Sequence, residues 1–248
     1  MELADLIGKT YSMETVGIGL VDGDEREERL VAGVTFCPVK VYREPASLLD
    51  AIEADVVQAA VRGSLSSAEF LAELSKRHPE SRFRRIALVT RPGGEPFLLG
   101  PVGIDEGGTM EAMRALTGDM RDFCGLLGWK PRIGVLSAGR PEDRFRSPEI
   151  ARSIELGESA ASEPDVCHYN IMVEEALGWA NCVIAPDGVT GNLIYRTLAH
   201  LGGGFSYGAL YFPRELRLAD TSRNGKLEEY VGAVALANMR AAGAYGRM

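Results

Sequence analysis

The feature that most constrains this chain is an alternation. Short apolar or β-branched runs are each followed by a segment with helical spacing. Arg132-Ile133-Gly134-Val135-Leu136-Ser137 and Ala180-Asn181-Cys182-Val183-Ile184-Ala185 are nearly continuous apolar runs, the pattern of a strand covered on both faces. Helices are expected after them, over 147–157 and 192–201. The rhythm begins near the amino terminus, with strands expected over 15–20, 39–42 and 56–61 and helices over 22–30, 46–54 and 68–77, the last capped by Ser67. Residues 85–90 and 96–99 read as a hairpin about Pro92-Gly93-Gly94. Long helices are expected over 109–127 and 226–242. This order predicts an α/β fold with a mainly parallel sheet and helices on both faces. Ligands of such sheets sit beyond the carboxyl ends of the strands. The loops to read are therefore 62–64, 137–144, 186–192 and 219–224.

The 248 residues suffice for one large domain or two small ones. A net charge of -8 argues against a general nucleic-acid binder, which needs a basic face, yet leaves room for a local basic pocket. No apolar run approaches the roughly 20 residues that cross a bilayer. The first residues carry no signal-peptide pattern, so a cytoplasmic location is expected. Cys37, Cys124, Cys167 and Cys182 form no CxxC pair and read as buried or half-buried thiols. With three histidines and no ligand spacing, no metal site is expected.

Three loops hold the residue types that bind anions. In Ala185-Pro186-Asp187-Gly188-Val189-Thr190-Gly191-Asn192, Pro186 stops a strand, the glycines give conformational freedom, and Thr190 or Asn192 can cap a helix whose start favours phosphate. Asp187, Thr190, Gly191 and Asn192 are the candidate ligands there. The loop lacks both the Walker A lysine and the GxGxxG spacing, and an ordinary strand-to-helix turn would look the same. In Asp220-Thr221-Ser222-Arg223-Asn224-Gly225, an arginine fork stands beside a hydroxyl, with Glu228 and Glu229 six to seven residues beyond Ser222 in the opening of a helix. A capped helix with an acidic first turn is the plainer account. Arg62 and Ser64 form a third pair after an expected strand, or else a surface turn. Gly202-Gly203-Gly204 and Gly208 read as a flexible loop, and His168 as a loop residue near Asp165.

At these loops the chain resembles the phosphate acetyl/butyryltransferase superfamily. Residues 181–192 match its "anvlifPDlxxGN" segment, and Tyr195 follows suit. Thr221-Ser222-Arg223 with 227–237 is similar to the "TSRxdsxeekxxSialA" ending of the butyryltransferases. Residues 60–71 resemble "lmKGxxxTxxfL", and 131–137 resemble "prVAvLSa". Within the superfamily, Val16-Gly17-Ile18-Gly19, Val61-Arg62-Gly63-Ser64-Leu65 and Gly100-Pro101-Val102-Gly103-Ile104 resemble a methanogen branch, MtxX, or methanogenesis marker protein 4, described as a methyltransferase subunit X. The resemblance implies a two-lobed, three-layer α/β/α fold with mainly parallel sheets, like isopropylmalate dehydrogenase. Its lobes are expected at 1–78 plus 220–248 and at 79–219, with a cleft between them, in a homodimer. It implies acyl transfer between coenzyme A and phosphate without a metal. Arg223 would neutralise the phosphate, Ser222 would hydrogen-bond the reacting centre, and Glu229 would take the thiol proton. The branch implies an alternative, an accessory subunit among methyltransferase partners. The chain departs from the superfamily pattern at Asn224, at Gly225, and at Glu229, where the acetyltransferases place an aspartate. No S-adenosylmethionine-type glycine loop and no DxHxxG corrinoid motif is present.

Overall fold

The computed structural model describes residues 3–8 and 14–245. They form a mixed α/β structure that divides into two compact units, 1–83 with 206–248, and 84–205. The expected boundaries, 78/79 and 219/220, differ from these at both crossings, by a few residues at the first and by fourteen at the second. The second difference lies in two strands outside those expected from the sequence. Strand β10 (Leu218–Asp220) runs parallel to β3 (Ala59–Val61), with Leu218 opposite Ala60, and β9 (Phe205–Phe212) runs antiparallel to β10. Backbone pairing therefore draws 206–219 into the first unit.

In that unit β1 (Val16–Gly19) lies between β2 (Val39–Tyr42) and β3, parallel to both. β1 and β3 are buried along their whole length, as their apolar sequences require. The accompanying helices are α1 (Leu3–Gly8), α2 (Glu27–Gly33), α3 (Pro45–Glu53), α4 (Ser67–Arg77) and α9 (Leu227–Tyr245). Leu48, Leu49, Ile52, Phe70 and Leu74 of α3 and α4 pack with Tyr211 and Leu218 in one apolar cluster. α9 is different in kind. Tyr230, Ala233, Val234, Ala235, Leu236 and Ala237 are all fully buried. A helix apolar on every side needs cover on every side, and α9 packs on β1, β3 and β10 as well as on α1 and α2. Small residues permit the approach, since a Cβ at Gly232 would lie 2.9 Å from the Tyr207 backbone.

Three expectations shift in this unit. α2 begins at Glu27 rather than near 22, because residues 21–26 form a turn in which the Asp24 carboxylate accepts the Arg26 backbone N–H (3.0 Å). α4 is capped by Ser66, not Ser67. Gly208, read as loop, lies inside β9 with φ of +90, and a Cβ there would meet Ala233 of α9 and the Asp220 carbonyl at 2.8 Å. Its glycine serves both a left-handed backbone and a close contact.

The second unit holds β4 (Arg84–Thr90) and β5 (Pro96–Gly100) as an antiparallel hairpin. From β5 the pairing runs in parallel to β8 (Cys182–Ile184), β6 (Ile133–Val135) and β7 (Val166–His168). Its helices are α5 (Met110–Leu127), α6 (Pro148–Ala160), α7 (Val173–Trp179) and α8 (Gly188–Arg196), the last continued by a wider turn at Thr197–Leu201. Thr109 and Ser147 cap α5 and α6 through hydrogen bonds to Ala112 N and Ile150 N. β7 and α7 had no counterpart in the sequence reading, being short and only partly buried. No helix among the described residues is long and apolar enough to cross a membrane.

The burial pattern sets a stability contrast. Leu236→Ala in α9 is expected to cost about 2–5 kcal/mol, by transfer loss and the cavity left behind. Leu201→Ala, at an 85 % exposed position, is expected to change stability by less than about 0.5 kcal/mol. Urea unfolding of the two variants checks this, and equal costs would contradict the packing of α9.

Candidate functional site

Three loops of the first unit leave the carboxyl ends of neighbouring parallel strands: residues 20–26 after β1, 62–66 after β3, and 221–226 after β10. They are tied into one cluster. At its centre Arg62 is only 4 % exposed. Its Nε donates to Asp220 Oδ1 at 2.5 Å, one terminal nitrogen donates to the Leu65 carbonyl at 2.5 Å, and the other to the Thr221 carbonyl. Burial works against the Arg62 charge, but Asp220 outweighs it and holds the guanidinium more firmly protonated than an ordinary arginine. Asp220 also accepts from the Tyr211 hydroxyl and from the Thr221 backbone N–H. Gly63 has φ of +64, and a Cβ there would fall 1.9 Å from the Gly19 carbonyl oxygen. No other residue fits that turn. The Thr221 hydroxyl donates to the Gly63 carbonyl at 3.0 Å, and Ser64 Oγ accepts from Val21 N at 3.0 Å.

Arg62 and Ser64 thus direct their polar atoms at the protein. An incoming anion meets a guanidinium already engaged with three acceptors. What these residues fix is the shape of the segment 220–223.

That segment carries the residues expected to be chemical. Ser222 donates its backbone N–H to Glu229 Oε1 at 2.8 Å. Glu229 lies in the first turn of α9 and is 4 % exposed. Gly225 makes room for it: a Cβ there would stand 2.6 Å from Glu229 Oε2 and 2.8 Å from the Ser222 carbonyl oxygen. The glycine that sets this chain apart just after its Ser-Arg pair therefore goes with the buried glutamate. Ser222 is half-buried, and Arg223 is exposed. The Arg223 side chain makes no ion pair with any described residue. It contrasts with the wholly committed Arg62.

One residue of the cluster lay outside the sequence reading. Arg26 donates from the same nitrogen to the Arg223 and Gly225 carbonyls, each at 2.9 Å. Its guanidinium lies over the Tyr230 ring, 4.1 Å from the centroid, a cation–π contact. Asp24 holds it through bonds of 2.8 Å to Nε and to a terminal nitrogen. The hydrogen bond from Arg26 lowers the Asp24 pKa to about 2, against an ordinary 3.8. The Arg26 charge is reinforced in turn by that bond, and Glu229 adds to it. Nothing local in the sequence pairs residue 26 with residues 223–225; the contact exists only once β1 and β10 share a sheet.

The second unit places Asp187, Thr190, Gly191 and Asn192 differently from the expectation. α8 starts at Gly188, so Asp187 is its cap, accepting from Thr190 N at 2.8 Å. Thr190 and Asn192 lie within the helix. Gly188 and Gly191 are not in the left-handed region; they are small because the chain 101–106 presses on them. A Cβ at Gly188 would meet the Gly103 oxygen at 1.5 Å, and one at Gly191 the Pro101 oxygen at 1.9 Å. Gly188 N donates to the Glu106 carbonyl, and the Asn192 amide donates to the Val102 carbonyl, both at 2.8 Å. Asp187 itself supplies the negative charge that a helix start favours. Beneath the 101–106 loop lies a buried pair, Arg85 Nε to Glu106 Oε1 at 2.7 Å. Burial raises the Glu106 pKa, with Arg85 opposing it.

Two further readings change. His168 ends β7 with Nε2 2.8 Å from Ser137 Oγ, and burial lowers its pKa. Asp165 pairs with Arg121 instead. Cys167 is exposed, while Cys37, Cys124 and Cys182 are buried. No group of three or more metal-ligating side chains occurs among the described residues.

The cluster makes two expectations measurable. Arg62→Met leaves the Asp220 carboxylate buried beside no cation, and is expected to cost about 3–5 kcal/mol in urea unfolding; a cost under about 1 kcal/mol would contradict the network. Asp24 has a folded pKa below its unfolded value, so its stabilisation is complete above about pH 4 and is lost as pH falls through about 2. Asp24→Asn is therefore expected to lose less stability than the parent between those pH values. Identical acid slopes would dispose of the Asp24–Arg26 clamp.

No established family profile matches the chain. Individual proteins do. It is 34% identical over 227 residues to a Methanosarcina barkeri protein provisionally named methyltransferase mtx subunit X, spanning 89% of this chain and 77% of that protein. An uncharacterized methyltransferase of Methanocaldococcus jannaschii is 32% identical over 239 residues, spanning 90% of this chain and 95% of the relative. In three dimensions the chain is similar to a branched-chain phosphotransacylase from Enterococcus faecalis, with a TM-score of 0.70 at 15% identity, covering 92% of this chain and 99% of the other. A phosphotransacetylase from Staphylococcus aureus gives 0.63 at 16% identity, covering 98% and 99%. The likeness to these enzymes is one of fold, and the sequence likeness decides kinship: the chain belongs to the mtx subunit X family.

Proposed function

We propose that this protein is a phosphotransacylase-like transferase that moves an acyl or related group between coenzyme A and phosphate, with its chemical centre at the loop cluster of the first unit. One observation carries the reading. Arg223, exposed and unpaired among the described residues, stands one position from a serine whose backbone N–H holds a buried carboxylate at 2.8 Å. In this reading the Arg223 fork binds the phosphate or acyl phosphate. Glu229 takes the proton of the attacking thiol, because the thiolate is the nucleophile. The thiolate bonds to the acyl carbon as the carbon–oxygen bond to phosphate breaks, and Arg223 receives the charge that leaves. Ser222 places its hydroxyl beside the reacting centre. Arg62, Ser64 and Arg26 keep the turn in shape. No step calls on a metal. The resemblance to the superfamily supports a homodimer as a further part of this proposal, and a cytoplasmic location belongs to it as well.

A second reading has its own support in the name borne by the relatives. A protein called subunit X invites a role as an accessory, and even non-catalytic, member of a methyltransferase complex. Capture of specific methyltransferase subunits from a methanogen lysate on the tagged protein is the result this reading expects, and their absence would count against it.

The first reading is tested by exchange between coenzyme A and phosphate with a panel of acyl phosphates. Arg223→Ala is expected to lower kcat/KM by about 100-fold or more, and Glu229→Gln by about 100-fold to 10,000-fold. Exchange left intact by both substitutions would remove the cluster from the chemistry.

A further inference from the structure

Two cysteines from separate elements meet in the core of the second unit. Cys124 lies toward the end of α5, and Cys182 opens β8. Their sulfurs are 3.2 Å apart, and both side chains are fully buried. The other two are apart from this pair in the fold, Cys37 in the first unit and Cys167 exposed on β7. We propose that Cys124 and Cys182 are a dithiol that a peroxide oxidant closes into a reversible disulfide, joining α5 to β8.

The gap to close is short. A disulfide needs sulfurs at about 2.05 Å, so the two sulfurs approach by roughly 1 Å. The environment also ranks the two thiols. The contact with Cys182 eases deprotonation of Cys124, and the nearby Arg132 charge works in the same direction. The same contact and burial hold Cys182 protonated. Cys124 is thus the sulfur that attacks first. Its thiolate takes one peroxide oxygen as the O–O bond breaks, giving a sulfenic acid and hydroxide, which picks up the displaced proton as water. The Cys182 sulfur then bonds to the Cys124 sulfur, the S–O bond breaks, and hydroxide leaves with the Cys182 proton as a second water. Two thiols and one peroxide yield one disulfide and two waters, and two electrons pass from sulfur to oxygen.

The link would act on a strand that matters for the fold. β8 runs directly into Pro186 and the Asp187 cap of α8. Pinning Cys182 to α5 fixes the strand from which that helix start is hung. This inference does not depend on the proposed transferase activity.

The test treats the folded full-length chain with a small excess of hydrogen peroxide, then unfolds and alkylates it for intact-mass and peptide analysis. The alkylatable thiols are expected to fall from four to two, with loss of two hydrogens and one linked peptide pair, Cys124 to Cys182. Dithiothreitol is expected to restore all four. In Cys124→Ser the linked pair is expected to vanish and Cys182 to stay alkylatable. Chain unfolded in guanidinium before oxidation is expected to lose the selectivity. The proposal is overturned if the folded protein keeps four thiols, if it links Cys37 or Cys167 instead, if Cys124 runs on to a sulfinic acid without linking, or if the unfolded chain gives the same single link.

Discussion

The cluster depends on one buried guanidinium. Arg62 sits at the end of β3 and reaches the carboxylate of Asp220 and the carbonyl of Thr221 at the end of β10, two strands brought together by parallel pairing. A buried charge is tolerable only when paired and hydrogen-bonded. Asp220 meets that demand, and Tyr211 and Thr221 N complete the acceptor side. The segment that follows, Ser222 to Gly225, inherits a fixed starting point. α9 then returns Glu229 to Ser222, and Arg26 holds the turn from the β1 side. The exposed Arg223 is presented by parts that are themselves buried or clamped. That is how a loop acquires the rigidity a binding site needs.

Two arginines therefore divide the work that the sequence assigned to either one. Arg62 and Arg223 both follow strands, and each has a hydroxyl residue within two positions, Ser64 and Ser222. Burial separates their tasks. The arginine with every nitrogen engaged organises the loop, and the exposed one is the residue proposed to meet a ligand. The same distinction applies to the two candidate regions. In the first unit an unpaired cation faces outward. In the second, Asp187, Gly188 and Asn192 spend their polar groups on α8 and on the chain 101–106.

The strands β1, β2, β4, β5, β6 and β8 were legible because their apolar runs are bounded by turn residues, and β2 fell at its predicted limits. Ser222, Arg223 and Glu229 stand out in the sequence by their match to a motif of the superfamily, and the structure brings Ser222 and Glu229 together. The rest failed for physical reasons. β9 contains Gly208, which reads as loop until α9 is seen to crowd it. The cap of α8 was assigned to Thr190 or Asn192, since several adjacent residues can cap and only the tertiary position of 101–106 selects Asp187. Arg26 stands 197 residues from Arg223, and no local pattern encodes a contact of that range. The Cys124–Cys182 meeting is invisible for the same reason, spanning 58 residues between a helix and a strand.

The central claim is that Arg223 and Ser222, on a turn shaped by Arg62 and Arg26, bind the phosphate group of a ligand. A crystal structure of the protein soaked with inorganic phosphate tests this most directly. Phosphate is expected within hydrogen-bond distance of the Arg223 guanidinium, with the Arg62–Asp220 pair intact. Phosphate bound elsewhere while Arg223 stays unoccupied, or Arg62 released from Asp220 to take the anion, would contradict it.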